Sequence, residues 1–272
     1  MNKFYANLIL AGCSADADFI DALGQKMPLN ICIISDINRS ENFKTYSKEI
    51  NMTLLQVIEG GVEPCLSFVR GWKRTTVLTA CFFFRNLEHN LMRQLLNVSN
   101  FGIFDSEICP VEAFELFDIS WLRGRVYRQV LEKTIGFGSR GEIVTCSVDF
   151  RKRSSLLNLG WLVHEFFLPV SLEAKTSCEW ILRGRDAKLF VSNSPNESIS
   201  FSNIDRPVDV IKVVKRRGII ESSLIGETVD PDPPFSDQLL AVIKYPSFFL
   251  GYREALNLVN YLISSYAEPA QA

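Results

Sequence analysis

Short runs that are apolar almost from end to end recur through the first half of the chain. They include Asn7-Leu-Ile-Leu-Ala11, Asn30-Ile-Cys-Ile-Ile34, Thr53-Leu-Leu-Gln-Val57 and Thr76–Phe84. A strand with one wet face alternates polar and apolar residues, and these do not. They need cover on both faces, which a parallel sheet receives from the helices that cross over between its strands. The segments between them fit that role. Asp16–Gln25 reads as a helix with acids in its first turn, Ser40–Ile50 as a second, and Leu87, Leu91, Leu95 and Leu96 recur at helical spacing. Right-handed crossovers follow. The pattern predicts a Rossmann-like, doubly wound α/β fold: a mostly parallel central sheet with helices on both faces.

The 272 residues suffice for one large domain, or for a domain with an appendage, and 20 Phe with four Trp can fill its core. Lys plus Arg is 29 against 31 for Asp plus Glu, so the chain lacks the excess of positive charge that a nucleic-acid binder carries, and no nucleic-acid partner is expected. The longest apolar run, Val77–Phe84, is far short of the ~18 residues a bilayer span needs. With no signal peptide evident near Asn2-Lys-Phe-Tyr5, the expectation is a cytoplasmic protein with no membrane contact. The seven Cys form no C-x-x-C pair and several lie in apolar runs, so buried free thiols are expected.

The middle of the chain reads as a helix over Ile119–Lys133, a loop marked by Gly136, Gly138 and Gly141, and strands over Ile143–Phe150 and Trp161–Phe167. A helix over Ser171–Arg183, a polar stretch over Ser192–Asn203 and a short helix over Pro207–Arg217 complete it. Thr228–Pro234, with three prolines, reads as a linker, Leu239–Lys244 as a strand and Tyr252–Tyr266 as an amphipathic helix. The expected division is an α/β domain over residues 1–217 and a small C-terminal extension over 218–272, whose terminal helix offers an apolar stripe for a homodimer.

Gly12-Cys-Ser-Ala-Asp-Ala-Asp18 follows the first strand, where a dinucleotide fold would place G-x-G-x-x-G. A single glycine and two acids that repel phosphate argue against nicotinamide dinucleotide binding. His89 and His164 read as a surface residue and a satisfied core residue, and Lys215-Arg-Arg217 and Arg151-Lys-Arg153 as solvated basic runs. Arg123-Gly-Arg125 is more suggestive: the glycine permits close approach, and paired guanidinium groups suit a phosphate or carboxylate.

In order and spacing, residues 4–217 resemble the 10-formyltetrahydrofolate-dependent formyltransferases that act on methionyl-tRNA or amino sugars. Phe4–Ser35 is similar to the family's opening strand, turn, helix and strand, and Phe82-Phe-Phe-Arg-Asn-Leu87 to its Arg-containing turn. Ile103-Phe-Asp-Ser-Glu-Ile-Cys-Pro110 stands where the family carries Asn-x-His-x-Ser-Leu-Leu-Pro. Arg123-Gly-Arg125 is similar to its Arg-Gly motif, and Asn158-Leu-Gly160 to its Asp-x-Gly. The resemblance implies 10-formyltetrahydrofolate as cofactor and a small molecule in the cleft. The family's catalytic Asn, His and Asp positions here hold Ile103, Asp105 and Asn158. Losing one oxyanion donor costs about 10²–10³ in rate, so the reading is a formyltransferase-like protein degenerate for formyl transfer, binding a small molecule or partner. The alternative is an enzyme of altered transfer or hydrolysis chemistry, with Asp105 as general base, Glu107 beside it, and Arg123 and Arg125 holding an anionic substrate.

Overall fold

The computed structural model describes residues 6–12, 16–36, 44–50, 53–72, 77–85, 87–107, 116–137, 143–184, 188–202, 210–230, 233–245 and 249–265. Cys13, Cys109, and the loop glycines Gly138 and Gly141 lie outside them. The chain divides into two units, one of Met1–Ile119 with Pro233–Phe248, the other of Ser120–Asp232 with Phe249–Ala272. The division thus falls elsewhere than residue 217, and the C-terminal stretch is shared between the two.

The first unit is the expected Rossmann-like part. Its strands are β1 (Ala6–Ala11), β2 (Leu29–Asp36), β3 (Lys44–Ile50), β4 (Thr53–Gly61), β5 (Leu78–Phe83), β6 (Phe101–Phe104) and β7 (Leu116–Asp118). They form one sheet in the order β3-β4-β2-β1-β5-β6-β7. Every pairing is parallel except that of β3 with β4. The apolar runs are buried on both sides, as their lack of alternation requires. Ile9, Cys32, Cys81 and Phe83 point to a layer formed by α2 (Val62–Trp72) and α3 (His89–Val98), through Leu66, Val69, Leu91 and Leu95. On the opposite face Phe82 meets Phe235 of α7 (Phe235–Lys244), with ring centroids 5.2 Å apart. Phe235 in turn meets Phe19 of α1 (Ala17–Gly24) at 5.6 Å.

Two expectations change here. Residues 44–50 of the expected helix over Ser40–Ile50 form strand β3, which pairs antiparallel with β4 from Lys44 opposite Glu59 to Ile50 opposite Thr53. Leu239–Lys244 is the end of helix α7 rather than a strand; its apolar residues Leu239, Leu240, Val242 and Ile243 are buried.

The second unit holds an eight-stranded sheet, in the order β15-β14-β13-β12-β8-β11-β10-β9. Its strands are β8 (Ile143–Val148), β9 (Ser171–Lys175), β10 (Glu179–Arg183), β11 (Lys188–Asn193), β12 (Glu197–Ser202), β13 (Val210–Arg216), β14 (Ile219–Ser222) and β15 (Gly226–Val229). Among the described residues, only β8 and β11 pair in parallel. Its helices are α4 (Ser120–Arg123), α5 (Arg125–Phe137), α6 (Arg153–Phe167) and α8 (Tyr252–Ser264). Trp180, Leu182, Leu189, Val191, Ile199, Val213 and Ile220 are buried, whereas Phe190 and Ile219 on the alternate positions are exposed.

Three expectations fail in this unit for physical reasons. Trp161–Phe167 is the second half of α6, not a strand. Residues 155–163 of that helix are all buried, and a helix that is apolar on every side carries no helical stripe to distinguish it from a buried strand. At Gly160 the helix α8 packs tightly: a Cβ there would stand 2.3 Å from the Ala255 carbonyl oxygen. Ser171–Arg183 is the hairpin β9–β10, whose turn is built by Thr176, with its Oγ1 accepting the Glu179 N–H at 2.9 Å. Residues 210–216 of the expected helix after Pro207 form β13. Among the described residues, no helix is long and apolar enough to cross a membrane.

Candidate functional site

Crossovers leaving β1 run first to β2 and β4 on one side of the sheet, then return to β5, β6 and β7 on the other. In open α/β sheets such a reversal opens a crevice beyond the carboxyl ends of the strands. Here it lies between β1 and β5. Gly12 follows β1 directly, with φ +83°, a conformation that L side chains rarely adopt. Its N–H donates to the Ile34 carbonyl at 2.9 Å, and the Phe84 N–H donates to the Ala11 carbonyl at 3.0 Å, so both neighbouring strands hold the turn. Arg85 follows β5 and lays its side chain over Gly12: a Cβ on Gly12 would fall 2.6 Å from the arginine Cγ and 3.0 Å from its Nε. Asp36 ends β2, one strand away, opposite Gly61 of β4.

Further along the same edge Asp105 follows β6. It is fully buried, and its Oδ1 accepts the Glu107 N–H at 3.0 Å, while the exposed Glu107 completes the turn. Asp118 at the end of β7 is likewise buried and accepts the Ser106 N–H at 3.1 Å. Ile103 is a core residue of β6, paired with Phe82 and Phe117.

Asn158, Arg123 and Arg125 belong to the second unit, and Asn158 is part of a buried polar network there. Arg128 on α5 is the centre of it. Its Nη1 donates to Asn158 Oδ1 at 2.8 Å, its Nη2 to the Trp121 carbonyl at 2.7 Å, and its guanidinium lies 3.4 Å from the centroid of the Trp121 ring. Glu197, also buried, accepts from Ser155 Oγ at 2.7 Å and from Asn158 Nδ2 at 3.5 Å. Asn158 therefore stands between the two charges. Burial, with Arg125 adding to it, pulls the Arg128 pKa down to about 9, which leaves it charged at neutral pH. Burial, with Cys146 and Glu197 adding to it, pushes the Tyr127 hydroxyl up.

Gly124 has a different use from the expected one. A Cβ there would meet Asn158 Oδ1 at 2.0 Å and Arg128 Nη1 at 2.7 Å. The glycine of Arg123-Gly-Arg125 makes room for this network. Arg123 is half-buried on α4, and Arg125 is exposed at the start of α5. Arg128 and Glu197 escaped the sequence reading because they sit singly in ordinary amphipathic segments. Gly12 and Arg85 were visible in it, but only the fold brings them together. Among the described residues, no cluster of His, Cys, Asp and Glu is grouped to hold a metal ion. Cys32, Cys65, Cys81 and Cys146 are buried free thiols and Cys178 is an exposed one.

No known family matches the sequence, and no curated protein matches it either. Solved structures do match. A putative oxidoreductase from Bacteroides fragilis NCTC 9343 aligns over 96% of both chains with a TM-score of 0.50 at 8% identity. KijD10, a 3-ketoreductase from Actinomadura kijaniata in complex with TDP-benzene and NADP, aligns in its open conformation over 94% of this chain and 96% of its own, with a TM-score of 0.42 at 10% identity. An inositol dehydrogenase homologue from Azotobacter vinelandii complexed with NAD+ aligns over 95% and 93%, with a TM-score of 0.43 at 8% identity.

The likeness is one of fold. It overturns the formyltransferase resemblance, because the structure whose architecture this chain matches over both units is described as a putative oxidoreductase and not as a formyltransferase. The resemblance had rested on element order over residues 4–217, and that order was misread in the second unit. There a strand was read for the second half of α6, and helices were read for β9–β10 and for β13. With it go the 10-formyltetrahydrofolate cofactor, the degenerate formyl-transfer reading and the role of Asp105 as a general base.

Proposed function

We propose that the first unit binds a nicotinamide dinucleotide across the β1/β5 crevice, in a protein of the oxidoreductase type. The observation that carries this reading is Gly12, held at φ +83° at the topological switch point. A residue without Cβ at the end of the first strand is what lets backbone approach a dinucleotide. Asp36 supports it. An acid ending the second strand serves the ribose hydroxyls of NAD and disfavours the 2′-phosphate of NADP. The missing second and third glycines of the fingerprint had argued against such binding. The reversal of strand order and the turn at Gly12 outweigh that local signal, since they are set by the whole sheet. When bound, the nicotinamide would supply hydride transfer. The residues named here would bind and orient it.

Titration of the full chain with NADH and NADPH, followed by nicotinamide fluorescence, tests the reading. NADH is expected to bind at least about 10-fold more tightly than NADPH, the scale of one lost or repelled charged contact. Replacing Asp36 by Ser should narrow or reverse that ratio. Absence of any signal with either nucleotide at millimolar concentration would dispose of the proposal.

A further inference from the structure

In dinucleotide folds the diphosphate sits on the free N–H groups that open the first helix. Here that helix end is already served by the chain itself. Asp16 caps α1, its Oδ1 accepting the Asp18 N–H at 3.0 Å, and Asp18 places a second acid in the first turn. An incoming phosphate would meet like charge there. On the β5 side of the crevice, the stem of Arg85 lies across Gly12, with Nε 3.0 Å from where a Cβ would be. Arg85 is exposed and, among the described residues, forms no ion pair. A cation without a carboxylate partner among the described residues thus stands over Gly12.

We infer that Arg85 is the diphosphate anchor of this site, taking over the role that the N-terminus of α1 has given up. The inference rests on the dinucleotide reading above. A guanidinium offers two parallel N–H donors to two phosphate oxygens, a geometry that lysine cannot copy. Such an anchor needs no Gly-rich loop, which accounts for a switch-point turn with Gly12 and no fingerprint after it. It also shifts the phosphate contact from a backbone dipole to a solvated side-chain charge, so binding should weaken with salt.

The test compares wild type, Arg85→Gln and Arg85→Lys in the full chain, titrated with NADH, ADP and adenosine at low and at physiological ionic strength. The Gln variant is expected to bind NADH and ADP about 10–100-fold more weakly, the loss of hydrogen bonds to a charged group, with adenosine unchanged. The Lys variant should fall between the two, and the salt dependence should flatten in the Gln variant. Binding of NADH and ADP by the Gln variant as tight as wild type, or tighter, overturns the inference, because Arg85 would then be filling the crevice. If wild type binds NADH and adenosine but not ADP, the phosphate contact is absent and the inference also fails. Wild type that binds none of the three removes the dinucleotide reading itself.

Discussion

The two units use similar charged residues in opposite surroundings. In the first, Asp16, Arg85 and Glu107 stand exposed at the carboxyl edge of a parallel sheet, and Arg85 has no ion-pair partner among the described residues. In the second, Arg128, Asn158, Glu197 and Ser155 are buried together beneath a mostly antiparallel sheet and satisfy one another. An exposed charge forfeits little when it exchanges water for a ligand. A buried one has already lost its water, and its partners must replace that hydration. The first group is therefore suited to binding. The second makes the local structure depend on a single arrangement.

The comparison breaks most visibly at Arg128. Arg128→Met leaves Glu197 without its mediated counter-charge and Asn158 Oδ1 without its donor. Removing one partner of a buried ionic arrangement costs about 3–5 kcal/mol, and denaturant unfolding of the second unit should register it. Arg85→Gln, in contrast, should change unfolding by less than about 0.5 kcal/mol, as surface substitutions do. Equal effects at the two arginines would show that the contrast in burial does not govern them.

Gly124→Ala sharpens the same point without removing any charge. The new methyl group would overlap Asn158 Oδ1 and Arg128 Nη1. Overpacking of this kind costs about 1–3 kcal/mol. Asn158→Ala in the same chain should relieve part of it, so a double-mutant cycle should return a non-additive term.

Gly12→Ala is the matching change in the first unit, and a smaller one. A φ of +83° costs an L residue about 1–2 kcal/mol, and the methyl group would also press on Arg85 Cγ, the middle of a flexible exposed side chain that can move. Combining Gly12→Ala with Arg85→Ala should therefore recover little stability. Full recovery would mean that the contact, and not the backbone, sets the cost.

The first unit was legible because strands buried on both faces leave uninterrupted apolar runs, and Asn7–Ala11, Asn30–Ile34 and Thr76–Phe84 each mark one. The second unit was not. Half-exposed strands such as Glu179–Arg183 and Val210–Arg216 mix charge with apolar residues at spacings a short helix shares. In α6 the apolar residues cover every side, so Trp161–Phe167 lost its helical signature. The Gly12 turn could be read locally, but its meaning depended on β5 lying beside β1, a pairing between residues far apart in sequence. The error over the formyltransferases came from the same source, since element order was compared where element type had been misread.

Asp149 tests the boundary between the two kinds of charge, because its carboxylate is buried while its partner Arg151 is solvated, the arginine side chain being 78% exposed. The Arg151 guanidinium reaches Oδ1 at 3.0 Å and Oδ2 at 3.2 Å, and the Arg151 N–H adds 3.1 Å to Oδ1. Hydrogen bonding to Arg151, opposed by burial, holds the carboxyl below its ordinary range. A depressed carboxylate contributes stability that is fully present above its unfolded pKa of about 3.9 and is lost as pH falls through the folded value. Because Arg151 is in water, the contribution should stay within about 1 kcal/mol. Asp149→Asn should thus lower stability slightly at pH 7, and its stability should converge on that of wild type as the pH falls through the depressed folded value. A gap that persists unchanged in acid would assign the loss to the buried shape of the side chain instead of its charge, and would place Asp149 with Arg128 and not with Arg85.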